Sequence, residues 1–202
     1  MKKNLLAIFL ILNSVVAFAQ NGLELKGYFG FSGTLTGPKA ELVGASSVEM
    51  ERFREFGVMV SSGLGGKFRL NGGINYAYGT VEYFPNLPPC VNCQSISYAH
   101  NPDFRMLSIP VYAEYELTRF LYVAAGPLVD FQLSEGNNFD EQSGLGYLVG
   151  LGGKVRADKF TFSVFPHYKR HGVMPFDRPE NDNHHKDLLQ EFGLQFGLGY
   201  SF

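Results

Sequence analysis

Apolar and polar residues alternate with a period of two along most of this chain, the pattern of strands with one apolar and one polar face. Eight segments carry it. In Leu23–Leu35, Leu23, Leu25, Phe29 and Phe31 share a face, opposite Glu24, Lys26, Tyr28 and Ser32. In Phe56–Phe68 the apolar face holds Phe56, Val58, Val60 and Leu64, and in Arg69–Tyr83 it holds Leu70, Ile74, Tyr76 and Tyr78. Arg105–Leu117, Phe120–Leu133, Gly144–Ala157 and Lys159–Lys169 repeat the pattern, and Glu191–Phe202 keeps it to the last residue. No amphipathic helix is legible after residue 20.

These segments are long. Strands of soluble proteins usually run about five or six residues, whereas a tilted strand needs about 9–11 to cross a bilayer. Their connections also alternate. "GGKF", "LTRF" and "RADKF" are tight turns, and the other connections, about 36–54, 84–103, 134–143 and 171–187, are long. Short turns at one rim and long loops at the other are the asymmetry of an outer-membrane barrel. The expected fold is therefore all-β: an eight-stranded antiparallel up-and-down transmembrane β-barrel, with both termini on the short-turn, periplasmic side.

Alternation alone does not say which face meets solvent. A soluble, lipocalin-like ligand carrier would turn the apolar face inward. Strand length favours lipid outside, and so do the aromatics near strand ends: Phe68, Tyr115, Phe160, Tyr200 and Phe202 at one rim, Phe31, Tyr78, Phe131, Tyr168 and Phe192 towards the other. Such rings suit interfacial girdles. The opposite face mixes glycines with charges of both signs, and a small barrel has room only for packed side chains. Charges withdrawn from water need partners. An interior network is expected from Lys67, Arg69, Glu114, Glu116, Asp130, Lys154, Arg156 and Lys169, with Glu24 and Lys26 on the same face. It reads as structural packing, with a proton or ion path as the alternative. Pro110 and Pro127 fall inside strands, where a missing ladder donor predicts local bulges or kinks.

Composition adds location. "MKKNLLAIFLILNSVVAFAQ" has two lysines, an apolar run and Ala17-Phe18-Ala19, the layout of a secretory signal peptide over residues 1–19. The domain expected to remain is the barrel, residues 20–202. No later apolar run is long enough for a transmembrane helix, which leaves open a closed barrel, since that also satisfies its backbone internally. A net charge of -2 and the lack of a basic tract argue against nucleic acid as a partner.

The stretches "LSIPVYAEYEL" (107–117) and "RFLYVAAGPLVDFQL" (119–133) resemble the signature of the PorT-like outer-membrane β-barrel family of Bacteroidetes, and "GLGGKFRLNGGINYAYG" (63–79) resembles the hairpin before it. The terminal "FGLQFGLGYSF" is similar to a barrel-assembly signal, with Tyr200 and Phe202 as its aromatic residues. The resemblance implies a barrel in the bacterial outer membrane, in contact with its lipid and inserted by the barrel-assembly machinery. One branch of that family is linked to protein secretion and most members have no assigned role; the partner expected here is an unidentified extracellular or secretion-system protein, and no cofactor is expected.

Other chemistry is sparse. Cys90 and Cys93 in "PNLPPCVNCQS" could be a redox pair, half a metal site or a disulfide clip. No helix start follows to activate a thiol, no second C-x-x-C completes a zinc site, and an oxidising compartment favours the clip. His184 and His185 lie among acids and amides, a weak metal pattern. His167 and His171 sit on one face of a strand roughly 13 Å apart, too far to share a metal directly, so His167 is assigned to the interior. A lipid-modifying enzyme needs a nucleophile near a histidine and an acid. His100, Asp103 and Ser95 or Ser97 have no recognisable spacing for that. No catalytic, cofactor or metal residue is assigned, and a non-enzymatic barrel with long binding loops is the expected function.

Overall fold

The computed structural model describes residues 22–36, 47–84, 103–134, 141–176 and 188–202. The expected signal peptide, Cys90, Cys93, Ser95, Ser97, His100, His184 and His185 lie outside the described residues. Eight strands follow in order: β1 (Glu24–Thr36), β2 (Ser47–Gly65), β3 (Phe68–Phe84), β4 (Asp103–Glu116), β5 (Leu121–Gln132), β6 (Gly144–Ala157), β7 (Phe160–Pro175) and β8 (Leu189–Ser201). Each pairs antiparallel with its sequence neighbour, and β1 pairs with β8 from Glu24↔Ser201 to Thr36↔Leu189, which closes the barrel. Closure removes every unpaired edge, the condition for a sheet to sit in lipid.

The faces divide by polarity in the way a membrane requires. Phe29, Val58, Ile74, Leu151, Phe162 and Leu198 are exposed on the outer wall, whereas Glu24, Lys26, Glu55, Asp130, Lys154, Lys169 and Glu191 are buried inside. A soluble ligand carrier has the opposite arrangement, so that alternative is excluded. Expected girdle rings meet at both rims. Phe68 and Tyr115 lie 4.8 Å apart by ring centroid, Phe160 and Tyr200 5.3 Å, and Tyr168 and Phe192 4.9 Å.

Interior glycines make space for bulky or charged neighbours. A Cβ at Gly152 would lie 2.2 Å from the Tyr122 ring, one at Gly193 2.5 Å from His167 Nε2, and one at Gly199 2.4 Å from a Glu24 carboxylate oxygen. The lumen is filled in layers. At the long-connection rim Met50, Phe53, Ala77, Val81, Phe104, Met106 and Leu189 form a buried apolar plug. A polar layer lies below it. Then come Tyr28, Met59, Tyr112, Tyr122, Leu128, Leu148 and Phe165, and a second charged layer closes the short-turn end.

Two strands differ from their expected extents. β2 begins at Ser47 rather than near Phe56, inside the expected loop 36–54. Its ladder to β3 shifts register between Glu51 and Arg54, and Arg52 has a φ of 55°. That bulge puts an extra residue in the strand, so Met50 and Phe53 both face inward although they are three residues apart. β7 continues to Pro175 rather than Lys169. The β6–β7 ladder shifts between Leu145 and Tyr147, opposite Gly172 at a φ of 60°. The expectation for the prolines also needs correction. Pro110 pairs with Leu128 and Pro127 with Tyr147, and neither falls at a register shift. Each proline instead interrupts one ladder without a bulge: the β3–β4 ladder skips the positions opposite Ile109 and Pro110, the β4–β5 ladder skips those of Gly126 and Pro127, and both resume in the same register.

Candidate functional site

The polar layer beneath the plug is the densest chemistry in the barrel. Strand parity builds it: alternate residues of β7 (His167, Lys169, His171) and of β8 (Glu191, Gln195) point inward, and β2, β3, β4 and β5 add Glu55, Asn75, Ser108 and Asp130. Lys169 Nζ lies 2.5 Å from both Glu55 Oε2 and Glu191 Oε1. Asn75 donates to Glu55 Oε2 at 2.8 Å and Gln195 to Glu55 Oε1 at 2.9 Å. His167 Nδ1 donates to the Phe165 carbonyl at 3.1 Å, and its Nε2 lies 3.4 Å from carboxylate oxygens of both Glu55 and Glu191. His171 Nδ1 lies 2.9 Å from Asp130 Oδ2, whose partner Oδ1 accepts from Ser108 at 2.6 Å.

Two chemical readings of this layer can be weighed on geometry. Glu55, His167 and Glu191 each offer one ligand atom within 4.8 Å of the others, a donor set that suits a divalent metal. The Lys169 ammonium, however, already bridges the two carboxylates and supplies the cation there. Ser108, Asp130 and His171 contain the three residue types of a hydrolase triad. The hydroxyl reaches the acid, whereas a nucleophile must hand its proton to the imidazole. Both readings give way to a third: the layer is a set of cross-lumen ties between β2, β7 and β8 and between β4, β5 and β7.

The layer at the short-turn end is a second network. Lys154 bonds to Glu114 and lies 2.8 Å from Glu116, which also pairs with Arg156 at 2.7 Å. Arg69 reaches Glu24 at 3.2 Å, and Thr161 donates to the same carboxylate at 3.3 Å. Ser61 bonds to Asn71 beside them. Lys154 Nζ also sits 5.1 Å above the Tyr122 ring, which couples this layer to the aromatic one.

Together these contacts form a barrel whose outside is apolar, whose inside is ionic and whose strands close without an edge. The fold is that of an outer-membrane barrel. AlkL, an outer membrane protein solved in DMPC lipid bilayers, has the same fold at a TM-score of 0.52 and 12% identity, over 90% of this chain and 91% of that chain. OprG of Pseudomonas aeruginosa is similar at 0.48 and 12%, over 90% and 96%. Ail, the attachment invasion locus protein of Yersinia pestis, is similar at 0.46 and 13%, over 90% and 99%. No protein-family model matches the chain, and no curated protein matches it in sequence. The closed barrel and its lipid-facing belt place the chain in a bacterial outer membrane.

Seven of the eight residues expected in the network lie at the lumen or its rim. Asp130 and Lys169 fall in the upper layer. Arg69, Glu114, Glu116, Lys154 and Arg156 fall in the lower one, with Arg156 half out of the short-turn rim at 44% side-chain exposure. Lys67 is the correction. It occupies the β2–β3 turn after Gly65 and Gly66, is exposed, and places Nζ 6.0 Å from the Tyr115 ring. The turn takes it out of the strand alternation that seemed to aim it inward. Tyr200 and Phe202 stack edge-on at 5.3 Å on the outer wall. Glu55, His171 and Glu191 belong to the upper network but were absent from the expected set. Parity could have found Glu191, which alternates with Phe192, whereas Glu55 precedes the expected second strand at Phe56 and His171 falls in the expected connection 171–187.

Proposed function

We propose that this chain is a non-catalytic, interaction-type outer-membrane barrel of the PorT-like kind. Its long outer connections would hold an extracellular or secretion-associated protein, and the barrel-assembly machinery would insert it. One observation carries the reading. The side chains of Glu55, His167 and Glu191 have no solvent-accessible surface, so among the described residues the mid-lumen layer is packed shut around them. An interior packed in this way points to the rims and the outer wall as working surfaces. The cross-lumen ties then serve rigidity: they hold a frame from which long connections can present a surface.

The expected result in planar bilayers is no stepwise conductance from the refolded chain, while its gel mobility shifts between boiled and unboiled samples as a closed barrel's does. Sustained ohmic steps would sink the sealed-frame reading. The partner is tested separately, by crosslinking from the outer connections in intact cells and by comparing the secreted proteins of deletion and parent strains. An unchanged secreted set together with no crosslinked protein would remove the secretion-associated role.

A further inference from the structure

On three neighbouring strands the wall reverses its polarity near the long-connection rim. Along most of the barrel the apolar residues face out and the charges face in. At the top of β2, β3 and β4 the apolar residues are inside, as the plug Met50, Phe53, Ala77, Val81, Phe104 and Met106. The residues facing out are Arg52, Arg54, Tyr78, Asp103 and Arg105. The reversal is sharp. Arg54, Tyr78 and Arg105 are direct register partners, and the next outward row is Phe56, Tyr76 and Leu107. One row of charge therefore sits immediately above an apolar and aromatic row.

That step locates the membrane boundary. Arginine on a lipid-facing wall is costly at mid-bilayer and nearly free at the interface, and aromatic rings gather at the same level. With the long connections outward, this is the headgroup level of the outer leaflet. The residues also enclose a depression of about 520 Å³, lined by Arg52, Arg54, Tyr76, Tyr78 and Arg105 among others. Arg105 gives one contact to Asp103 at 2.9 Å and keeps further N–H donors, since a guanidinium has five. Planar guanidinium forks match phosphate oxygens in pairs.

We propose that this depression is a binding site for the phosphate of an outer-leaflet lipid headgroup. Arg52, Arg54 and Arg105 supply the donors, and Tyr76 and Tyr78 form the apolar shelf under the sugar or glycerol that carries the phosphate. The outer leaflet is chosen over a free anion because the site opens on the lipid-facing wall, directly above the apolar belt, where a headgroup is held in place by its own acyl chains. The inference rests on the outward orientation of the long connections. Labelling of those connections from the periplasm alone would fail that orientation, whereas loss of phosphate preference alone fails this inference.

Native mass spectrometry of the folded, detergent-solubilised chain tests it, with a bisphosphorylated lipid A, the same lipid dephosphorylated, and inorganic phosphate as probes. Wild type is expected to hold the bisphosphorylated lipid at least about tenfold more tightly than the dephosphorylated one, a ratio worth about 1.4 kcal/mol. The Arg54→Gln/Arg105→Gln pair is expected to lose most of that preference, while Arg119→Gln in a periplasmic turn keeps it. Arg54→Lys, which keeps charge but not the fork, is expected to fall between. Equal binding of both lipids by wild type overturns the proposal and needs no variant to fold. Binding of inorganic phosphate as tight as that of the lipid overturns the lipid source. An unchanged preference in the double variant, with normal heat-modifiable mobility, overturns the assignment of residues.

Discussion

Lys169→Met is expected to destabilise the barrel by about 3–5 kcal/mol, the usual cost of removing one partner from a buried ion pair. The ammonium lies 2.5 Å from two carboxylates that have no solvent-accessible surface. Without it, Glu55 and Glu191 face each other across the lumen with only amide and imidazole donors. Methionine keeps nearly the same volume, so the loss is electrostatic and not a cavity. Guanidinium unfolding of the refolded chain, followed by gel mobility or tyrosine fluorescence, measures it. The triple variant Lys169→Met/Glu55→Gln/Glu191→Gln is the decisive comparison. Neutral amides can donate to each other, so most of the loss should return. If Lys169→Met alone leaves the midpoint unchanged, the lysine is not the cation that holds this layer.

A network this costly also has a folding use. In a barrel whose interior is ionic and whose exterior is apolar, a slip of one residue in any strand would turn its whole inner set outward. Each arginine or lysine delivered to the bilayer midplane would cost about 2–4 kcal/mol, and each carboxylate somewhat less. Register is thus specified by what must not face lipid as much as by what packs inside. The seam between β1 and β8 shows this. Glu24 faces inward opposite Ser201 and Leu25 faces outward opposite Tyr200, so a single-step error would exchange a carboxylate for a leucine at the membrane.

That same rule explains which parts of the molecule were legible in the sequence. Where outside is lipid and inside is charge, alternation gave the strand, its facing and its membrane role together, as in β5, β6 and β8. It failed at the start of β2. There the bulge at Arg52 breaks the period of two, and the wall has left the hydrocarbon, so Met50 and Phe53 point in while Arg52 and Arg54 point out. A reader who expects apolar residues outside sees no strand. In the upper network Asp130 and Lys169 were legible from parity, but which acids and bases they would pair with was not. Asp130 finds His171 because the β7 bulge at Gly172 and the bare Gly146, where a Cβ would lie 2.9 Å from Asp130 Oδ2, bring the two strands together. His167 and His171 both approach Glu191 Oε1, at 3.4 and 3.9 Å. Spacing along one strand had kept the two histidines apart, and only the neighbouring strand supplies the shared acid.

Deleting Phe202 is expected to leave the stability of the folded barrel almost unchanged and to lower its outer-membrane level several-fold. The side chain is 73% exposed, and its ring touches Tyr200 edge-on at 5.3 Å. Its amide donates to the Leu23 carbonyl at 3.1 Å, one bond beyond the last β1–β8 pair. One terminal hydrogen bond and one surface ring contact are together worth about 1 kcal/mol, small against the ladder that closes the seam. A role confined to the folded state therefore predicts a small effect everywhere. A role as the terminal residue of an assembly signal predicts a split: normal unfolding midpoint after refolding in detergent, poor insertion in cells. Phe202→Tyr keeps an aromatic end and should insert normally, whereas Phe202→Ser should behave like the deletion. Equal outer-membrane levels for the parent chain, the deletion and Phe202→Ser would assign the ring to the interfacial girdle alone.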